Sequence, residues 1–178
     1  IVRELRAAGI QISPIPGACA AIAALSIAGI ASDRFSFEGF LPAKASARRE
    51  RLQKLAGETR TLVFYESSHR IEESLADMLN AFGASREAVL ARELTKLFET
   101  VLDGTIAGIL EKVAADANQR KGEFVLIISG APEDDDADLR EGKRLYSKLV
   151  EYMKPSQAAK VAAEISGAPR KALYGGEL

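Results

Sequence analysis

A chain of 178 residues, 47% of them hydrophobic and 28% charged, with a formal net charge of −1, has the composition of a globular protein of one domain, or one domain plus an appendage. No apolar run reaches the ~18–20 residues that span a bilayer, and no signal-type segment opens the chain. The single cysteine, Cys19, excludes an intrachain disulfide and suits the reducing cytoplasm; its Ala-rich neighbourhood predicts a small buried core residue rather than a nucleophile.

Ile1, Leu5 and Ala8 share one helical face and Gly9 is a fitting stop, so the chain opens in the closing turns of a helix and reads as a fragment. A strand-like QISPIPG follows, then a buried Ala/Ile/Leu-rich helix over residues 17–29, starting just after Pro16-Gly17. Phe35, Phe37 and Phe40 fall in a short strand ending at Leu41-Pro42. Residues 43–56 have helical spacing, with Arg48, Arg49, Arg51 and Lys54 on the wet side. TLVFY, residues 61–65, is a continuous apolar run, the mark of a strand buried on both faces. Ser68 is placed to cap a helix that packs Ile71, Leu75, Met78, Leu79 and Phe82 and stops at Gly83. Short strands over 88–92 and 99–102, a helix over 105–117 and a last strand, FVLIIS, lead to Gly130. Strands alternating with helices of this length predict an α/β domain, a sheet flanked by helices, with parallel and mixed sheets both open. Residues 132–138 form an acidic linker between this domain, residues 1–131, and a small all-helical tail, residues 139–178. Its three helical pieces, near 138–153, 155–166 and 169–174, have a helix-turn-helix outline, and a dimerising or capping tail fits them as well.

The small net charge hides a segregation. Residues 44–60 carry six basic and two acidic side chains, residues 139–174 eight and three, and residues 61–138 seven and sixteen. Two basic zones flanking an acidic body predict either an anionic footprint, as RNA would leave, or a solvated helix surface.

The chemistry-bearing residues concentrate where strands end. Gly17 lets a ligand come close to the backbone at a helix amino-terminus, although Pro-Gly is also a common turn. Tyr65-Glu66-Ser67-Ser68-His69-Arg70 follows a buried strand directly, at the edge where open α/β sheets bind ligands. Capping by a serine and a Glu66–Arg70 ion pair is the structural alternative. Arg92 to Thr100, RELTKLFET, repeats that placement, and Arg120-Lys121-Gly122-Glu123 leads into the last strand. With one histidine, one cysteine and no acidic ligand spacing, no metal site is expected, and no G-x-S-x-G elbow is present.

In order and spacing, PIPGACAAIAALSIAGIASDRFSFEGFLPAK, TLVFYESSHRIEESL, ARELTKLFET and RKGEFVLIISG resemble the ribosomal RNA small-subunit methyltransferase I family of the tetrapyrrole-methylase superfamily. The resemblance implies a tetrapyrrole-methylase-like carboxy-terminal α/β domain of a two-domain homodimeric enzyme that holds S-adenosylmethionine in the cleft between its halves. It implies methyl transfer to the 2′-hydroxyl of a cytidine in 16S rRNA or the small ribosomal subunit. The family's amino-terminal half, with PTPIGN-like and SDAGTP-like segments, has no counterpart in these residues. On this resemblance Glu66, or else Glu93, is the base, with His69 orienting it. Pro16, Gly17, Ala18 and Ala21 line the cofactor pocket, with Phe64 and Tyr65 near the adenosine. Arg48, Arg49, Arg70, Lys96 and Lys121 hold RNA phosphates. A precorrin-type methylase and a non-catalytic dimerisation or RNA-docking module are the alternatives.

Overall fold

The computed structural model of the chain describes residues 1–132 and 136–173. They fall into two compact units, Ile1–Ala131 and Pro132–Leu178. The first runs α1 (Val2–Ala7), α2 (Ala20–Ile27), β1 (Phe35–Phe40), α3 (Ala45–Leu55), β2 (Thr61–Ser67), α4 (Ile71–Phe82), β3 (Glu87–Arg92), β4 (Thr100–Thr105), α5 (Ile106–Ala115), a single 3-10 turn (Ala117–Arg120) and β5 (Glu123–Ile128).

The strands form one sheet in the order β1-β2-β5-β3-β4. β1 and β2 are parallel, β5 is antiparallel to both β2 and β3, and β4 is antiparallel to β3. The sheet is therefore mixed, with β1, β2 and β3 pointing one way. β2 and β5 read as unbroken apolar runs because both of their faces are covered. On one face Leu62, Phe64, Leu90, Leu126 and Ile128 meet Leu52 of α3, Leu75 and Met78 of α4, and Ile109 of α5. On the other, Val63, Val89, Val125 and Ile127 meet Ala21, Ala24, Leu25 and Ala28 of α2. Each large side chain buried this way contributes roughly 1.5–3 kcal/mol.

α4 forms because Ile71, Leu75, Met78 and Phe82 recur on one helical face, and Glu72 and Glu73 suit the positive end of its dipole. It begins at Ile71 rather than at a Ser68 cap: Arg70 holds the cap position, and its N–H donates to the Ser67 carbonyl to close an intervening turn. Thr105 does cap α5, its hydroxyl accepting from the Gly108 N–H at 3.2 Å.

Two expectations at the start of the chain fail. QISPIPG joins no ladder, and α1 buries none of its residues. Cys19 is exposed rather than buried, because α2 starts one residue later and its buried stripe is 21, 24, 25 and 28.

The second unit comprises α6 (Ala137–Leu149), α7 (Pro155–Ser166) and α8 (Arg170–Leu173). Ala159, Ala162, Ala168 and Leu173 pack with Leu139, Leu145 and Leu149 in a core of its own. α6 already begins at Ala137, inside the expected linker 132–138, of which residues 133–135 lie outside the described residues, as does Tyr174 at the end of the third predicted helix. Among the described residues no helix is long and apolar enough to cross a membrane.

Candidate active site

β2 and β3 end, and β5 begins, at the same edge of the sheet. There a cavity of about 590 Å³ opens, lined by Ala20, Phe40, Tyr65 to His69, Ala91, Glu93, Leu94, Lys96 and Gly122 to Val125. Tyr65, Ala91, Leu94 and Val125 belong to the α2-covered side, so the cavity sits on that face, at the carboxyl ends of parallel strands.

An aromatic shelf forms part of its wall. The Tyr65 ring lies edge-on to Phe37 at 4.9 Å and to Phe40 at 5.7 Å, within the range of favourable ring pairs. Strict alternation would put Phe37 and Phe40 on opposite faces. A bulge between Phe37 and Gly39, where Gly39 adopts φ +66°, brings both to the Tyr65 side. The Tyr65 hydroxyl accepts from the Ala21 N–H at 3.1 Å and so ties the first turn of α2 to the shelf. At the cap of that helix the Cys19 thiol is held below its usual pKa, chiefly by the Ile22 N–H, then by the Ala21 N–H, with a smaller contribution from the Tyr65 hydroxyl.

Glu66, the expected base, does not reach the cavity with its carboxylate. It alternates with Tyr65, shares the face of Phe64, and its side chain is 0% exposed. Oε1 accepts from the Ser67 N–H at 2.8 Å and pairs with the Arg70 guanidinium at 3.0 Å, while Oε2 accepts from the Ser74 hydroxyl of α4 at 2.7 Å. The donors that orient it are therefore Ser67, Arg70 and Ser74; His69, assigned that task from the sequence, is exposed on the turn lining the cavity. Arg70 also donates to the Leu41 carbonyl at 3.2 Å, so this cluster is a clamp between β2, α4 and the end of β1. Phe64 is fully buried under α3 to α5, on the face of the sheet opposite Tyr65.

Glu93 and Glu123 also line the cavity, and Glu93 is the more enclosed of the two, its side chain 18% exposed against 84%. It sits just past β3 with φ +50°, unusual for a residue with a side chain. Its Oε1 accepts from the Lys96 ammonium and from the Glu123 N–H, both at 2.9 Å. These two contacts, Lys96 foremost, hold its pKa below the usual carboxylate range, with further help from Arg92. Lys96 also reaches Glu123 Oε2 at 2.9 Å, and its pKa is raised by both carboxylates. Arg92, nearly buried, donates to the carbonyls of Lys121 and Phe98 and to Thr100 Oγ1, pinning the loop that carries Glu93. A second hollow of about 530 Å³ shares Glu93 and Gly122 and adds Arg92, Phe98, Asn118 and Lys121.

The basic zone 44–60 is less cationic than its sequence. Arg48, expected on the wet side, is 2% exposed; its Nε donates to Asp77 at 2.6 Å and its Nη2 to Glu73 at 3.2 Å, because it falls on the stripe of α3 that faces α4. Arg51, Lys54 and Arg60 are paired with Glu38, Glu50 and Glu58. Of the five proposed phosphate-binding cations, Arg48 is a buried clamp, Arg70 holds Glu66 and Lys96 is committed to two carboxylates; Arg49 and Lys121 are exposed. Pro16, Gly17 and Ala18 are exposed ahead of α2, and Ala21 is buried beneath it. Phe40 and Gly122 were missed as lining residues, and Phe37 as the ring that backs Tyr65; the Gly39 punctuation inside an aromatic strand was the available signal for the two phenylalanines. Among the described residues no group of three or more His, Cys, Asp or Glu side chains could hold a metal ion.

This architecture, a mixed sheet between helices with its cleft at the strand ends, is that of a methylase domain: the chain belongs to the Tetrapyrrole (Corrin/Porphyrin) Methylases, whose family model matches residues 1–110. A second model, the RsmI C-terminal HTH domain, matches residues 134–175. The chain is 62% identical over 176 residues to the protein named ribosomal RNA small subunit methyltransferase I in Xylella fastidiosa, covering 99% of this chain and 64% of that relative. The proteins of that name in Pseudomonas aeruginosa and Escherichia coli O157:H7 are 51% and 47% identical, over 98% of this chain and 62% and 61% of their own lengths. The chain thus spans less than two thirds of these relatives. Among solved structures, a cobalt precorrin-4 methyltransferase of cobalamin biosynthesis shares the fold at TM-score 0.50 and 18% identity, covering 72% of this chain and 56% of the other. The methyltransferase CobJ does so at TM-score 0.51 and 20% identity, covering 73% and 57%.

Proposed function

We propose that the chain supplies one wall of the cofactor site, and the group that positions the acceptor hydroxyl, in an S-adenosylmethionine-dependent 2′-O-methyltransferase of a cytidine in 16S rRNA. The observation that carries the reading is the anchored Glu93 carboxylate in a cleft of nucleoside-cofactor size with an aromatic shelf. That lining suits the cofactor: ring faces and edges at Phe40 and Tyr65 for adenine, and an anionic rim favourable to a sulfonium. Tyr65, Phe40 and the backbone of Pro16, Gly17, Ala18 and Ala21 would hold it. S-adenosylmethionine supplies a methyl group on a sulfonium leaving group. Glu93 accepts a hydrogen bond from the ribose hydroxyl and takes its proton as the oxygen attacks. Its lowered pKa keeps it ionised at neutral pH, so its larger contribution is orienting the hydroxyl.

Arg49 and Lys121 contact RNA phosphates in this reading, residues 1–131 act as the methylase domain, and 139–178 as a helix-turn-helix tail. The enzyme works in the cytoplasm as a homodimer on the small ribosomal subunit. The internal pairing of Arg48, Arg51, Lys54 and Arg60 favours the second reading, a methylase of a small tetrapyrrole that needs no broad cationic surface.

The test is methyl transfer from labelled cofactor by the complete gene product containing these residues. Label in a cytidine ribose of small-subunit rRNA is expected, with Glu93→Gln slowing turnover about 100-fold or more. Label on a porphyrinoid and none in rRNA would establish the second reading instead.

A further inference from the structure

We infer that Gly122 and Lys96 are positioning residues for Glu93: Gly122 leaves empty the space that the Glu93 side chain fills, and Lys96 completes its anchoring. The inference rests on the reading of Glu93 as the hydroxyl acceptor. A Cβ on Gly122 would stand 2.5 Å from both Cγ and Oε1 of Glu93 and 2.6 Å from Cδ, closer than atoms can approach. Gly122 itself has φ +101°, so both the space and the backbone at this position call for glycine.

The opposing residue is equally constrained. Glu93 takes φ +50°, and its N–H donates to the Glu123 carbonyl at 2.9 Å while its own Oε1 accepts from the Glu123 N–H. The Glu93 carboxylate therefore continues the β3–β5 ladder one step past the last strand residue. The Lys96 N–H donates to the Glu93 carbonyl at 3.0 Å, and its ammonium returns to the carboxylate. An ion pair serving only the surface would need neither a left-handed glutamate nor a neighbour without a side chain; strained positions of this kind gather where geometry is used. The titratable groups near this site are Lys96 and Glu99 on its own loop, Arg92 at the end of β3, Lys121 just before β5, Glu123 at its start, and Glu66 and His69, which also line the cavity.

Gly122→Ala overlaps the mobile end of a side chain rather than backbone, so the Glu93 carboxylate moves first. In the complete gene product we expect Gly122→Ala to lower kcat about 10- to 100-fold, with KM for cofactor and RNA within about twofold. In a Glu93→Ala background the same change keeps its backbone strain, read as lost stability, but lowers kcat per folded molecule no further, because no carboxylate is left to displace. Lys96→Met moves the acid limb of the kcat profile to higher pH, since Lys96 depresses the Glu93 pKa. A carbon-13 NMR titration of the Glu93 carboxyl in this chain reads the anchoring without any turnover: both Gly122→Ala and Lys96→Met raise its midpoint. An equal kcat loss from Gly122→Ala with or without Glu93, or a Glu93 midpoint unmoved by both variants, overturns the inference. Raised midpoints in a protein that methylates nothing sink the functional reading and leave the positioning intact.

Discussion

Arg48→Ala separates a buried clamp from an RNA contact. The guanidinium is 2% exposed and its Nε lies 2.6 Å from an Asp77 carboxylate whose side chain is 11% exposed. Removing one partner of such a pair leaves the other charge buried, at a cost of about 3–5 kcal/mol. The Glu73 contact adds little, about 0.5 kcal/mol, because that side chain is 68% exposed. Arg48 Nη1 has no acceptor, so part of the desolvation is already uncompensated in the native protein and the lower end applies, about 3 kcal/mol. With a urea m-value of about 2 kcal/mol/M, the midpoint of the first unit falls by about 1.5 M. Arg48→Met with Asp77→Leu recovers most of it, since an apolar pair of similar volume replaces the ions at little net cost. Filter binding to small-subunit rRNA completes the assay. Arg48→Ala leaves the slope of log K against log salt unchanged, whereas Arg49→Ala reduces it by about 0.7–0.9. A midpoint shift below about 0.3 M together with a reduced salt slope for Arg48 would refute the clamp.

Glu66→Ala destabilises by about 2–4 kcal/mol through the stranded Arg70, Ser74 and Ser67 N–H, yet turnover per folded molecule stays within about threefold; lost turnover at unchanged stability would reinstate Glu66 as the base. Phe40→Ala, at a side chain 60% exposed, barely changes the denaturation midpoint and weakens cofactor binding about 3- to 10-fold by calorimetry, and unchanged affinity would remove the shelf from the cofactor site. Cys19 is alkylated with a pH midpoint below the usual thiol value of about 8.5. Tyr65→Phe raises that midpoint by removing one of the thiol's donors, and an unshifted rate profile would contradict the geometry at the α2 cap.

The β2 and β5 runs and the α4 stripe were legible because burial on two faces and on one helical face writes distinct periods. Position directly after a strand drew residues 65–70 and 92–100 to the ligand-binding edge of the sheet, and a cavity is lined by residues of both segments. What escaped was the side from which each residue enters. Period-two alternation along β2 already separates Glu66 and Phe64 from Tyr65, but the concentration of polar residue types obscured it. The Arg48 role depends on Asp77, a partner on another helix that no local pattern reveals. Gly122 looked like turn punctuation because its meaning lies in the Glu93 side chain, which comes from another strand.

β5 lies between β2 and β3 although it is the last strand of the sheet to be made. Until the ribosome has released residues 123–128, the strand that joins β1–β2 to β3–β4 does not exist, and the apolar edges of β2 and β3 that it covers have no native partner. All the contacts that join them span long stretches of chain, so closure is slow and comes late in synthesis. During that interval Leu62, Phe64, Val89 and Leu90 are open to intermolecular pairing. Pauses placed after β5 has emerged would protect the nascent chain, whereas pauses just before it would prolong the window in which the two edges can aggregate.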